Sequence, residues 1–535
     1  MRGALLVAGT HSDAGKSVVV AGICRWLARE GISAAPFKAQ NMALNSFVTR
    51  EGEEIGRAQA AQAAAAGIAP EAAMNPVLLK PSTEDTQVIV RGRPLATASA
   101  RSYQGMKKDL LPIVLESLED LRSRFDVVVC EGAGSPAEIN LRESDLANMG
   151  LARAANLPVI LVGDIDRGGL FASLYGTLAL LSPEDQALVA GFLVNKFRGD
   201  PAVLAPGLER LDRLTGRPFI GTLPYLSGLG IDGEDSLALD VPRAMKPPLG
   251  RAVLRVAVAR LGRISNFTDF DPLSHEPGVR VRFTESPVEI LEADLAVLPG
   301  TKATVADLEG LRSRGLDGAF RERARRGLPT LGVCGGYQML GGRILDGIES
   351  GEPEVAGLGL LPVETVFEEE KVLSRPTGRA PGFGDAAVSG YEIYHGRVRR
   401  LGGEPLFEAD GDAGCCVGAT LGTSWHGVLE SDGFRRAFLS WVAGRRDLDW
   451  KPGEMPFADA REAQLDKLGD LIAENVDRES LFRLIDDGPP SGLPVVTGQL
   501  VSRSAGRHRA VVGDVSNTAA SAVPGHDVNL RELPG

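Results

Sequence analysis

The stretch that most constrains this chain is Leu328-Pro329-Thr330-Leu331-Gly332-Val333-Cys334-Gly335-Gly336-Tyr337-Gln338-Met339-Leu340. A short apolar run, a turn of small residues and an apolar helix start follow one another, so a buried strand must pass into a helix at Cys334. A side chain on such a turn is pushed out of the sheet into a cleft, and only small neighbours allow the turn. The helix N-terminus adds positive potential at the sulfur, and the Gly335 N–H can face a developing oxyanion. The other reading of the same residues is a buried structural cysteine.

A second glycine turn lies near the N-terminus. Ala4-Leu5-Leu6-Val7-Ala8 reads as a buried strand, Gly9-Thr10-His11-Ser12-Asp13-Ala14-Gly15-Lys16-Ser17 as a loop, and Val18 to Arg29 as a helix. This is a phosphate-binding loop. Its backbone, with Thr10, Asp13 and Gly15, cradles phosphate, Lys16 reaches the terminal phosphates and Ser17 ligates Mg²⁺. Five residues separate Gly9 from Gly15, one more than the standard pattern.

Further strands end in residues suited to the same site. Phe125-Asp126-Val127-Val128-Val129-Cys130 runs into Glu131-Gly132-Ala133-Gly134, and a carboxylate at the C-terminal end of a strand is where a metal ligand belongs in an open α/β sheet. Lys38 ends another strand and can stabilise charge on a transferring phosphoryl group. Asn41 and Asn45 suit a ligand rich in carboxylates and amides. Asp164 and Asp166, after Leu157 to Gly163, are candidates for metal or substrate contact, and Asn195, after Ala190 to Val194, is expected near the adenine. Ala58 to Ala66 reads as a helix and Val88 to Arg93 as a hairpin. Alternating strands and helices predict a doubly wound, mostly parallel sheet carrying these residues along one edge.

The pattern breaks at the prolines near residues 241–252, a linker, and a second α/β pattern starts at Val253. Leu295 to Lys302 is a strand and turn in which Gly300 can complete an oxyanion hole with Gly335. A cysteine nucleophile needs a base, and of the six histidines only His275, His395 and His426 lie outside the phosphate loop and the tail. Between His395 and His426 position alone does not choose. The domains expected are residues 1–240 for ATP binding, 253–450 around Cys334, a helical segment 451–485 and a disordered or loosely attached tail 486–535, rich in Pro, Gly, Ser and Val.

At 535 residues more than one core is needed. A net charge of −12 without a dense basic cluster argues against nucleic acid as a partner. No apolar run is long enough to cross a membrane, the N-terminus lacks a signal-peptide pattern and the five cysteines have no zinc or disulfide spacing. A cytoplasmic protein acting on small molecules is expected, with no indication of oligomeric state.

The variant loop resembles that of the dethiobiotin synthetase-like branch of P-loop proteins, which use ATP to phosphorylate a carboxylate. The Cys334 half resembles a class I glutaminase. Five places make the match specific: Gly9 to Ser17, Lys38-Ala39-Gln40-Asn41-Met42, Glu131 to Leu141, Arg263-Ile264-Ser265-Asn266-Phe267-Thr268-Asp269-Phe270-Asp271-Pro272-Leu273, and Cys334-Gly335-Gly336-Tyr337-Gln338. In this order they resemble the cobyric acid synthase family, from the N-terminus to about residue 450. The resemblance implies an α/β protein of two doubly wound parallel-sheet domains, a P-loop NTPase-like domain followed by a class I glutamine amidotransferase domain. It implies amidation of the b, d, e and g carboxylates of adenosylcobyrinic acid a,c-diamide in cobalamin biosynthesis, with glutamine, ATP and Mg²⁺. Cys334 is then the nucleophile and His426 the base, with His395 in a neighbouring motif. Many class I glutaminases carry a glutamate two residues after the histidine. Here Val428 stands there, which leaves open what orients His426. The alternatives are cobyrinic acid a,c-diamide synthase, a P-loop switch ATPase with no use for Cys334, and a glutaminase-linked ligase of cell-wall lipid intermediates, which the Glu131 to Leu141 motif disfavours.

Overall fold

Apolar strands without alternation need cover on both faces, and the chain supplies it twice. The structure, a computed structural model, describes residues 1–82, 85–226, 245–411 and 413–497. The first sheet contains β1 (Gly3–Gly9), β2 (Ala34–Phe37), β3 (Val127–Glu131), β4 (Val159–Asp164), β5 (Val189–Phe197) and β6 (Phe219–Pro224), in the order β6-β5-β4-β1-β3-β2. All its pairings are parallel. Alternate residues of one strand enter different cores. Leu6 and Ala8 pack with Leu118, Leu174 and Phe192, whereas Leu5 and Val7 pack with Val20, Ile23 and Leu27.

The second sheet contains β7 (Leu254–Ala259), β8 (Val279–Thr284), β9 (Leu295–Leu298), β10 (Thr330–Val333), β11 (Cys415–Val417) and β12 (Thr420–Thr423), ordered β8-β7-β9-β10-β12-β11. Only the edge strand β11 runs antiparallel to its neighbour. The fold is therefore mixed α/β with two parallel-sheet cores, as expected from the strand–helix alternation. The predicted helix and hairpin near the first sheet are also present, as α1 (Arg57–Ala65) and the strands Thr86–Val90 and Arg93–Ala98.

After the second sheet the chain returns to the first. Helices α2 (Phe457–Asn475) and α3 (Arg478–Asp487) bring Leu465, Leu468, Ile472, Leu481 and Ile485 into the core that holds Leu5 and Val7. Each such buried side chain stabilises the fold by about 1.5–3 kcal/mol. The loosely attached tail needs correcting at its start. Residues 488–496 follow the first domain's surface, where Gln186 Oε1 accepts the Val496 N–H at 2.8 Å and Val496 is buried. Proline and glycine composition pointed to disorder, but backbone hydrogen bonds to Gln186 hold this piece. The rest of the tail, 498–535, and the start of the linker, 241–244, lie outside the described residues. Among the described residues no helix is long and apolar enough to cross a membrane.

Candidate active sites

The phosphate loop runs from the end of β1 into a helix, Lys16–Arg29. Lys16 Nζ donates to the carbonyls of His11 at 3.1 Å and Gly134 at 3.2 Å. Glu131, wholly buried at the end of β3, accepts Ser17 Oγ at 2.8 Å and Lys38 Nζ at 2.9 Å on one oxygen. Its other oxygen accepts Gln62 Nε2 at 2.5 Å. Burial alone would raise the Glu131 pKa, but the Lys38 charge and the bonds from Gln62, Lys38 and Ser17 outweigh it and hold the carboxyl below its ordinary value. Thr10 Oγ1 is buried here without a hydrogen-bond partner, the kind of donor a phosphate oxygen would satisfy. Serine and glutamate oxygens at the loop are also the hard donor set that suits Mg²⁺ together with phosphates.

Five predicted ligand contacts have partners within the chain itself. Asn195 Nδ2 donates to the Ala14 carbonyl at 3.0 Å and so braces the loop. The neighbouring Lys196 bridges the Asp13 carbonyl at 2.8 Å and Oδ2 of buried Asp164 at 2.7 Å. Asp166 is 3.2 Å from Arg198 Nε. Asn41 and Asn45 are buried. Asn41 Nδ2 donates to Gln59 Oε1 at 2.9 Å, and Asn45 Oδ1 accepts the Phe267 N–H at 3.2 Å. Polar residue type suggested substrate contact; the folded chain uses these amides to satisfy its own buried groups.

The second site assembles around Cys334, between β10 and the helical turn Gly335–Leu340. Its backbone sits at φ 49° and ψ −113°, a strained conformation costing on the order of 1–3 kcal/mol. Gly336 makes the elbow possible: a Cβ there would lie 1.9 Å from the Leu298 carbonyl oxygen. Cys334 is an electrostatic neighbour of His426, and its Sγ lies 4.0 Å from the Ile393 carbonyl oxygen. His426 Nδ1 is 2.7 Å from Asp269 Oδ2, and the other Asp269 oxygen accepts the Gly427 N–H at 2.9 Å. Burial would lower the His426 pKa, but Asp269 and Cys334 together raise it to about 10. Gly335 backs onto the Thr301 backbone, and Gly300 is pressed against the imidazole, 2.9 Å from His426 Cε1 measured from an added Cβ. Gly335 thus follows the nucleophile directly, and Gly300 adjoins its base.

His395 stands apart from this dyad. Its Nδ1 faces the Glu368 carbonyl at 3.1 Å and its Nε2 faces Gln87 Nε2 at 3.2 Å. Burial, the largest influence, leaves its pKa below the ordinary value. It lines a cavity with Cys334, Gln338, Lys80 and Lys371. Lys80, from the first domain, and Lys371, from the second, both hold buried Glu54. Burial pushes Lys371 down to about 8 despite that carboxylate.

Asp269, Gln62 and Lys196 were not singled out from the sequence. Asp269 lay inside the 263–273 motif, but nothing local joins it to a histidine 157 positions later. Gln59 and Gln62 had a signal, two amides three residues apart in an alanine helix that is buried almost all round.

Two family descriptions match the chain: a CobQ/CobB/MinD/ParA nucleotide binding domain over residues 5–236 and a CobB/CobQ-like glutamine amidotransferase domain over residues 255–434. Among similar proteins, a cobyric acid synthase of Streptomyces avermitilis is 58% identical, over 93% of this chain and 99% of its own length. One from Frankia casuarinae is 57% identical over the same shares. One from Mycolicibacterium paratuberculosis is 55% identical over 92% of this chain and 98% of its own.

Proposed function

Because this chain belongs to the cobyric acid synthase family, we propose that it amidates the b, d, e and g carboxylates of adenosylcobyrinic acid a,c-diamide, using glutamine and ATP. The observation that carries the reading is the pairing, in one chain, of the Cys334–His426–Asp269 constellation with the Lys16–Ser17–Glu131 phosphate site.

Glutamine hydrolysis follows from the first. The Cys334 sulfur attacks the amide carbon, while His426, held by Asp269, keeps the thiol proton and passes it to the departing ammonia. The Gly335 and Gly300 backbone is the proposed cradle for the developing oxyanion. Water then attacks the thioester, His426 takes its proton, and glutamate leaves. At the second site Lys16 draws the terminal phosphates into the loop, and Thr10 offers its unpaired hydroxyl. Ser17 and Glu131 would hold Mg²⁺, which supplies charge neutralisation on the phosphates. Lys38, beside Glu131, faces the phosphoryl group as a corrinoid carboxylate attacks it. The resulting acyl phosphate gives ammonia a leaving group that a free carboxylate lacks.

The test is ADP release with adenosylcobyrinic acid a,c-diamide, driven by glutamine or by ammonium. In Cys334→Ala, glutamine-driven turnover is expected to fall by about 10³-fold or more, with ammonium-driven amidation retained. ATP hydrolysis by the unaltered enzyme that ignores the corrinoid would reject the substrate assignment.

A further inference from the structure

The carboxylate that orients His426 sits on a turn that is tied to the other domain. Asn266 precedes the 3₁₀ turn Phe267–Phe270 that carries Asp269, and its backbone is left-handed at φ 51°. Its Oδ1 accepts the Ser46 N–H at 2.9 Å, while Asn45 Oδ1 accepts the Phe267 N–H at 3.2 Å. Two asparagines, one from each domain, thus each cap a backbone N–H of the other's segment. All four residues are buried or nearly so. The Asn266 amide has a second contact: its Nδ2 donates to Tyr391 Oη at 3.3 Å. Tyr391 stacks on the His426 ring, with centroids 5.5 Å apart and planes inclined by 25°. The two residues also exchange backbone hydrogen bonds at 2.9 and 3.0 Å. One side chain therefore touches the ATP-binding domain through Ser46, the imidazole through Tyr391, and the Asp269 turn through its own backbone.

Nothing in glutamine chemistry requires that junction. A triad carboxylate can be oriented from within its own domain, and the buried inter-domain bonds form only when the 41–46 segment is in place. That segment follows directly on Lys38, which holds Glu131. We infer that Asn266 is a positioning residue through which the ATP-binding domain's Asn45–Ser46 segment sets the orientation of Asp269 and His426, so that glutamine hydrolysis depends on the arrangement of the phosphate-site domain. The inference rests on the function proposed above.

The experiment compares full-length Asn266→Gly, Asn45→Ala and Cys334→Ala with the unaltered enzyme. Glycine keeps the left-handed backbone of residue 266 while removing the amide. Asn45→Ala removes the reciprocal bond from the far domain and leaves every glutaminase residue intact. Glutamate release and ammonium-driven amidation are measured for each. Asn266→Gly is expected to lower kcat for glutamine by at least about tenfold, with KM for glutamine within about threefold and ammonium-driven amidation within about twofold. Asn45→Ala is expected to lower the same kcat in the same direction, by less. The inference is overturned if both variants keep glutamine kcat, if KM alone changes, or if ammonium-driven amidation falls in step. Retained glutamine use in Cys334→Ala would instead overturn the underlying function.

Discussion

The two chemical centres are built in opposite ways. At the phosphate site the loop, its lysine and its serine are contiguous in sequence, and the sheet only has to bring Glu131 and Lys38 alongside. At the glutaminase site the nucleophile, base and orienting carboxylate come from three distant segments, and a turn pinned across a domain boundary carries the carboxylate. The first is a local motif with supports. The second exists only after long-range packing is complete. The difference predicts which substitutions damage both half-reactions and which damage one.

The largest effect is expected at Glu131. Glu131→Gln keeps the size of the side chain but removes the charge that faces Lys38 and suits a metal. Ammonium- and glutamine-driven amidation should both fall by roughly 10³-fold, the several kcal/mol such electrostatics supply. Steady-state ADP release over a Mg²⁺ titration measures it. Loss with glutamine alone would break the distinction between the centres.

Asp269→Asn should discriminate in the other direction. Glutamine-driven turnover is expected to fall by about 10²-fold or more, because an amide holds the imidazole in the wrong tautomer, and ammonium-driven turnover should persist. A pH profile adds a sign. Asp269 is the strongest influence holding His426 at about 10 against burial, so its charge keeps the proton that the departing ammonia needs. Without it the His426 pKa falls toward the ordinary value, and the alkaline limb of the glutaminase profile moves to lower pH. An unmoved limb would remove Asp269 from the triad.

The same contrast explains how much was legible beforehand. The two sheets were readable because uninterrupted apolar runs between glycine turns need burial on both faces. The phosphate loop and the Cys334 elbow were readable because turn chemistry is local. Three-dimensional pairing was not. Val428 left the His426 partner open, and Asp269 could be assigned only once the His426–Gly427 segment and the 267–270 turn lay side by side. Asn41, Asn45 and Asp164 drew a ligand reading from their residue types, which do not reveal whether a polar group will meet a substrate or the chain's own buried donors. The returning helices α2 and α3 were visible as helices, but their Leu465, Leu468 and Ile472 gave no sign that the partner core lay at the other end of the chain.

The smallest effect sharpens the reading of the phosphate site itself. Asn195 braces Ala14, while Lys196 braces Asp13 independently. Asn195→Ala then removes one of two supports, worth about 0.5–1.5 kcal/mol for a hydrogen bond. KM for ATP should rise by about 2- to 13-fold with kcat nearly constant, since 1.4 kcal/mol is a factor of ten. A brace acts on the phosphates, so ATP and GTP should lose affinity equally. A base-reading amide would instead change the ratio between the two nucleotides. Measuring KM for both in Asn195→Ala separates these roles, and a change in that ratio would restore Asn195 to the adenine.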